Sequence, residues 1–135
     1  MTIVGVQSHQ MMALWPHVKD YFRSFEDRSK GELTAGELLL RVLDSKLQCW
    51  IATDGKEVGA CALTEVIGKT VVFAFCAGRN REEWRDAMVD EIEQWAAHIG
   101  ANRVRIICRP GWVRELKGLG YKESHRVLEK DIESA

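Results

Sequence analysis

The sequence predicts an α/β sandwich built on a mixed, mostly antiparallel sheet flanked by helices. Three observations carry that reading. The runs LQCWIAT and EVGACALTEV flank Asp54-Gly55, a dipeptide that supplies the positive φ angles of a tight hairpin. The next run, KTVVFAFCA, is almost continuously apolar, as a strand covered on both faces is. Trp84, Ala87, Met88, Ile92, Trp95, Ala96 and Ile99 then recur at helical spacing before Gly100, and a further strand-like run, RVRIICR, follows.

The elements can be taken in chain order. TIVGV, residues 2 to 6, is a short strand. Ser8 is placed to cap a helical segment whose apolar positions are Met11, Leu14, Trp15, Val18, Phe22 and Phe25. Pro16 interrupts that segment, and because proline removes a helix hydrogen bond it predicts a kink or a split, with Pro16 opening the second piece. Thr34 with Glu37 forms a capping box for a helix from about Ala35 to Asp44, and Leu33 and Leu38 sit where a hydrophobic staple would place them. The three runs from Leu47 to Ala77, turning at Asp54-Gly55 and Gly68, make an antiparallel meander. Asn80 with Glu83 predicts the start of the long helix, with Asn80 capping it through its own side chain. After RVRIICR come a short helix within GWVRELKGLG and a last strand, HRVLEKDI.

At 135 residues the chain suits a single domain, 1–135, with a real core. Its apolar fraction of 46% and charged fraction of 29% are those of a soluble globular protein. The formal net charge of −1 supplies no overall pull toward nucleic acid or anionic membrane, so neither is expected as a partner. No signal-peptide pattern and no long apolar run is present, which predicts a cytoplasmic protein. Cys49, Cys61, Cys76 and Cys108 all lie in apolar, strand-like runs and read as small buried hydrophobes. His9, His17, His98 and His125 pair with no cysteine or carboxylate at ligand spacing, so no metal site is expected.

The element order, with "IATDGKEVGACALTEV" in its middle and "LKGLGYKESHRVLEKDI" at its end, resembles the GCN5-related N-acetyltransferase (GNAT) superfamily. In that family an "A..dG.ivG...l" hairpin precedes the cofactor strand, and a helix ending in "lGF" or "lGY" precedes the last strands. The ending "CRPGWVRELKGLGYKESHRVLEKDI" is also similar to small GNAT-like proteins encoded in phages and prophages, some of which are non-catalytic particle components. The resemblance therefore implies either an acetyl-CoA-dependent N-acetyltransferase acting on a small-molecule or protein amine, or a binding or structural module, virion-associated if phage-encoded.

The family's cofactor strand ends in a Q/R-x-x-G-x-G/A loop whose backbone N–H groups and helix start hold the pyrophosphate of acetyl-CoA. A helix N-terminus favours an anion through its unpaired N–H groups and dipole. The corresponding loop here is Ala77, Gly78, Arg79, Asn80 and Arg81, in which Gly78 alone remains of the family's glycines. Glu82 and Glu83 put negative charge in the first turn and oppose a phosphate, whereas Arg79, Arg81 and Arg85 offset them. Many family members place a proton-donating tyrosine four residues before the glycine of "GF"; counting back from Gly120, that place holds Leu116, which cannot donate. Tyr121 matches the structural aromatic of the motif. Glu65 is the nearest carboxylate for a general base, with His125 and Cys108 as more distant candidates. Arg103, Arg105, Arg109, Arg114 and Lys117 surround Trp112. They make either a surface for CoA phosphates, an acidic protein or a nucleic acid, or a solvated edge with Trp112 closing the core.

Overall fold

The computed structural model describes residues 1–132. β1 (Thr2–Val6) leads through a 3-10 turn at Ser8–Gln10 into α1 (Met11–Arg28), and α2 (Ala35–Leu43) follows. β2 (Gln48–Thr53), β3 (Val58–Ile67) and β4 (Thr70–Gly78) form the expected meander. A second 3-10 turn, Arg81–Glu83, precedes α3 (Arg85–His98), and then come β5 (Arg103–Ile106) and α4 (Pro110–Lys117). The strands lie in sequence order, β1-β2-β3-β4-β5. Every pairing is antiparallel except β4 with β5, which α3 joins as a crossover helix.

The hairpin turn forms as its dipeptide dictates. Gly55 takes φ +94°, and Asp54 Oδ1 accepts from the backbone N–H groups of Lys56 and Glu57 at 2.8 and 2.9 Å. Those two bonds, the one from Glu57 first, hold the Asp54 carboxyl below its ordinary range. Thr34 caps α2, its Oγ1 accepting from the Glu37 N–H at 3.1 Å.

Pro16 does not split α1. One helix runs from Met11 to Arg28 with Pro16 inside it. The proline stands near the start, where it removes a single hydrogen bond, and Met11, Val18, Phe22 and Phe25 on either side of it are buried in one cluster. Ser8 caps nothing; its hydroxyl lies 2.9 Å from that of Ser45.

The two faces of the sheet carry separate cores. α1 and α2 cover Cys49, Ile51, Cys61 and Leu63, while Trp84, just before α3, and Met88, Ile92 and Ala96 of α3 pack against Trp50, Ala60, Ala62 and Phe73. A bulge in β4 decides which side chain joins which core. Leu63 pairs with Phe75 while its neighbour Thr64 pairs with Phe73, so Ala74 is the extra residue. The bulge turns Phe73 toward α3 and Phe75 toward α1, two phenylalanines that a regular strand would put on one face.

Other expectations are corrected as well. HRVLEKDI forms no strand: residues 121–132 carry no regular structure, and Val127, Leu128 and Ile132 stand exposed. β5 is only four residues long, and the chain leaves α4 without lying beside it. The cysteines divide, because β5 ends before Cys108. Cys49 and Cys61 are buried with their sulfurs 3.7 Å apart, Cys76 is half-buried, and Cys108 is exposed. The long helix also starts later than Asn80, for reasons taken up below.

Below the bulge lies a buried polar chain. The Trp50 indole N–H donates to Thr64 Oγ1 at 3.0 Å, and the Thr64 hydroxyl donates to Gln48 Oε1 at 2.8 Å. Thr64→Val keeps the shape but leaves the indole N–H without an acceptor. It is expected to cost about 1–3 kcal/mol in urea unfolding; an unchanged midpoint would show that the chain contributes nothing to stability.

Candidate functional site

β4 and β5 pair only from Thr70–Arg103 to Phe73–Ile106, with one further bond from the Ile107 N–H to the Phe73 carbonyl at 3.2 Å. Beyond the bulge the two strands part. Residues 74 to 78 of β4 keep β3 on one side and, among the described residues, have no strand on the other, so a wedge opens between β4 and β5 with its apex at Phe73.

At the far end of this open edge lies the loop Ala77, Gly78, Arg79, Asn80, Arg81. Ala77 is buried in the α1-side core. Gly78 is needed for packing, since a Cβ there would stand 2.6 Å from Ala60 Cβ and 2.7 Å from the Gly59 carbonyl. Arg79 continues the β3 pairing through its N–H to Gly59 O at 3.1 Å. Asn80 is left-handed, φ 51°, a conformation asparagine tolerates better than most residues.

Asn80 does not cap the helix with its side chain. Trp84 explains why. Its ring is 1% exposed, its indole N–H donates to the Arg79 carbonyl at 2.8 Å, and its own backbone has φ −134°. Burying this ring breaks the helical run, so a 3-10 turn forms first and α3 begins at Arg85. The backbone N–H groups of Asn80, Arg81 and Glu82 donate to no acceptor among the described residues. They are the unpaired donors that open the 3-10 turn, the groups by which the predicted phosphate loop would hold an anion.

The charges around the loop are arranged unequally. Glu115 of α4 takes two of the three nearby arginines. Arg81 Nη2 lies 3.1 Å from Glu115 Oε1 and Arg85 Nη1 lies 2.8 Å from Oε2, the second an ion pair without hydrogen-bond alignment. Arg81 also lies over the Trp112 ring at 5.8 Å, and Trp112 packs beside Trp84 at 6.2 Å. Trp112 thus closes the α3-side core, as the second reading of the basic cluster holds. Arg79 is exposed and in no ion pair among the described residues, and Glu82 and Glu83 are exposed as well.

Arg28 enters the site without any signal in the sequence. It ends α1, and its Nη1 donates to the carbonyl of Cys76 on the open edge of β4. Partial burial, and then the like charge of Arg109, pull its guanidinium below the ordinary arginine range. Glu65 pairs with Val72, one residue from the apex, and is half-buried on the α1 side. Five residues of β3, roughly 17 Å, separate it from Ala60 beside the loop. Cys108 follows Ile107, whose N–H donates to the Phe73 carbonyl at the apex, and stands exposed there. His125 is exposed and bonded to Ser124, 2.8 Å away, and partial burial raises the Cys108 thiol so that it keeps its proton. Leu116 is buried, 4% exposed. Among the described residues no cluster of three histidine, cysteine or acidic side chains could hold a metal ion.

Tyr121 fastens the end of α4 to α3, its hydroxyl donating to Glu93 Oε2 at 2.7 Å. Burial and then the Glu93 carboxylate raise the phenol well above its ordinary value. The folded state therefore holds this proton more tightly than the unfolded chain, so the contribution is full below about pH 10 and fades as pH rises further. Tyr121→Phe is expected to cost about 1 kcal/mol at neutral pH and to flatten the alkaline fall of stability above pH 10. Parallel pH–stability curves for the two proteins would contradict this.

No protein-family model matches the chain, and no curated protein does. Solved structures match along its whole length. An aminoglycoside acetyltransferase, HMB0005, from an uncultured soil metagenomic sample superposes with a TM-score of 0.71 at 12% identity, covering 99% of this chain and 98% of that one. The aminoglycoside N-acetyltransferase AAC(6')-Iy in complex with CoA gives 0.67 at 13% identity, covering 98% and 95%. Ribosomal-protein-alanine N-acetyltransferase from Brucella melitensis biovar Abortus 2308 gives 0.69 at 8% identity, covering 98% and 99%. With its bulged fourth strand, open wedge and mostly antiparallel five-stranded sheet, the chain has the GNAT acetyltransferase fold in a divergent sequence.

Proposed function

We propose that the protein is an acyl-CoA-dependent N-acyltransferase acting on an amine. The observation that carries this reading is the continuity of one surface. The apex at Phe73, the unpaired edge of β4 and the free N–H groups of Asn80, Arg81 and Glu82 follow one another along a single strand and its exit loop. The donor set fits a pyrophosphate, because three backbone N–H groups and the unpaired Arg79 guanidinium outnumber the two outward carboxylates of Glu82 and Glu83.

Acetyl-CoA, when bound, supplies an activated acyl group whose transfer to an amine forms a C–N bond as the C–S bond breaks. The residues of this chain would do four things. The loop from Ala77 to Arg81 holds phosphate. The open edge of β4 offers backbone groups beside the wedge, once Arg28 gives up the Cys76 carbonyl. A backbone N–H near the apex polarises a carbonyl. Glu65, at the level of the apex, takes a proton from the amine. Leu116 leaves the leaving group without the family's tyrosine donor, so that proton comes from water or from the amine itself.

A second reading, a GNAT-fold binding module without acyl transfer, is favoured by Leu116, whose burial makes the missing donor part of the packing.

A thermal-unfolding titration separates the two readings. Acetyl-CoA and CoA are expected to stabilise the protein saturably, by about 2.7 kcal/mol at 100 times Kd, and inorganic polyphosphate far less. Arg79→Glu should abolish that shift while leaving the unliganded midpoint in place, and Arg28→Ala should tighten binding by clearing the β4 edge. Gly78 is unsuited to the test, since any side chain there meets Ala60. No shift with millimolar ligand would discard the enzyme reading for the binding module. If binding holds, Glu65→Gln is expected to lower kcat by about 100-fold with little change in cofactor affinity; an unaltered kcat would remove Glu65 from the chemistry.

A further inference from the structure

A cavity of about 480 Å³ lies between the C-terminal half of α3 and the ends of β1 and β2. It is at the far end of α3 from the loop Ala77–Arg81, and none of its walls comes from β4 or β5, so it is separate from the wedge. Small-molecule sites have volumes of roughly 300–1,000 Å³, and this one falls among them.

Two indoles form its corner. Trp50 and Trp95 meet nearly edge to face, with 5.4 Å between ring centres and 71° between planes. Trp50 is buried against β1, where Gly5 makes room for it: a Cβ at that position would stand 3.2 Å from Trp50 Cζ3. Trp95 is only half-buried and leaves ring surface to the cavity.

Hydrogen bonding decides which groups the two walls present. On the strand side the Trp50 indole N–H donates to Thr64 Oγ1, and the Thr64 hydroxyl donates to Gln48 Oε1. The Gln48 carboxamide is thus held by its oxygen, and its N–H groups are left for the cavity. The helix side is the reverse. Gln94 Nε2 donates to Asp90 Oδ2 at 2.7 Å, so its carbonyl oxygen is left, one turn from the Glu91 carboxylate. Glu91 and Asp90 are exposed and in no ion pair among the described residues. No lysine or arginine among the described residues lines the cavity, and His98, a further turn along α3, is the other titratable group there. The helix wall therefore offers acceptors and negative charge, the strand wall offers donors, and two aromatic rings stand between them.

We propose that this cavity binds a flat organic cation, an amidinium or guanidinium on an apolar body, with the body in the indole corner and the N–H groups on Glu91 and Gln94. Several N–H donors in one plane match two acceptors set one turn apart, and a delocalised cation is weakly hydrated and stacks on aromatic rings. A compact ammonium gives up more hydration to enter such a corner. The donors of Gln48 direct the charged end away from the strands and toward α3. An anion would meet Glu91 and Asp90 with no lysine or arginine in the lining to offset them.

Benzamidine is the probe, with the neutral benzamide and the anionic benzoate as controls. Calorimetric titration of the full chain should show saturable binding of benzamidine and none of either control at the same millimolar concentrations. The indole N–H resonances locate the site: those of Trp50 and Trp95 are expected to shift, while those of Trp84 and Trp112, beside the candidate phosphate loop, stay in place. Glu91→Gln should weaken binding about tenfold or more. Because Glu91 is exposed, that variant should keep the unliganded unfolding midpoint. Arg79→Glu should leave benzamidine affinity unchanged, so the acyltransferase reading can fail without this one. No binding at millimolar probe, equal binding of benzamide, shifts at Trp84 and Trp112 instead, or affinity indifferent to Glu91→Gln would each overturn the proposal.

Discussion

The extra residue at Ala74 is the constraint on which the rest depends. One inserted residue in β4 sends Phe73 into the core under α3 and Phe75 into the core under α1, so both helical layers are anchored by the same strand on successive turns of its pleat. The same insertion bends β4 away from β5 after a pairing of only four residues. The wedge is therefore a by-product of filling two cores at once. Repairing the bulge would close the site and would also move Phe75 out of contact with Phe25, whose ring centre lies 5.3 Å away.

The hairpin, the capped second helix and the element order were legible because each is set locally, by Asp54-Gly55, by Thr34 and by apolar spacing. The bulge was not. KTVVFAFCA is apolar at almost every position, so it carries no alternation from which a change of face could be read. Asn80 misled for a different reason. Its side chain and that of Glu83 match a capping box, but a cap contributes about 1 kcal/mol, whereas burying the Trp84 ring is worth several times that. The tertiary term won, and the helix start moved to Arg85. HRVLEKDI has the alternation of a strand but forms none, since a strand also needs an edge to pair with, and its own sequence does not show whether it has one.

The site residues divide along the same line. Ala77 to Arg81 could be placed by position after a strand, and Glu65 by its place near the end of the second strand of the meander. Arg28 could not, because it reaches the β4 edge from a helix 48 residues earlier in the chain. Glu115 was equally hidden in its role. Its sequence neighbours are basic, yet its carboxylate is spent on Arg81 and Arg85 across the α3–α4 contact.

That contact bears on how an anion would be held. In the loop that the sequence resembles, glycines let the backbone approach phosphate; here Asn80 takes a left-handed conformation, φ 51°, without a glycine. Arg81 and Arg85 share the Glu115 carboxylate, Arg85 also pairs with Asp86, and Arg81 lies over Trp112, so both arginines are engaged between α3 and α4. What remains at the loop is backbone N–H and Arg79 against Glu82 and Glu83. A phosphate bound there would depend on directed hydrogen bonds more than on net charge, and its affinity would respond weakly to salt. The tryptophan pair and Glu115 hold the loop's shape from the α4 side, and the backbone N–H groups of Asn80, Arg81 and Glu82 are left without an acceptor among the described residues.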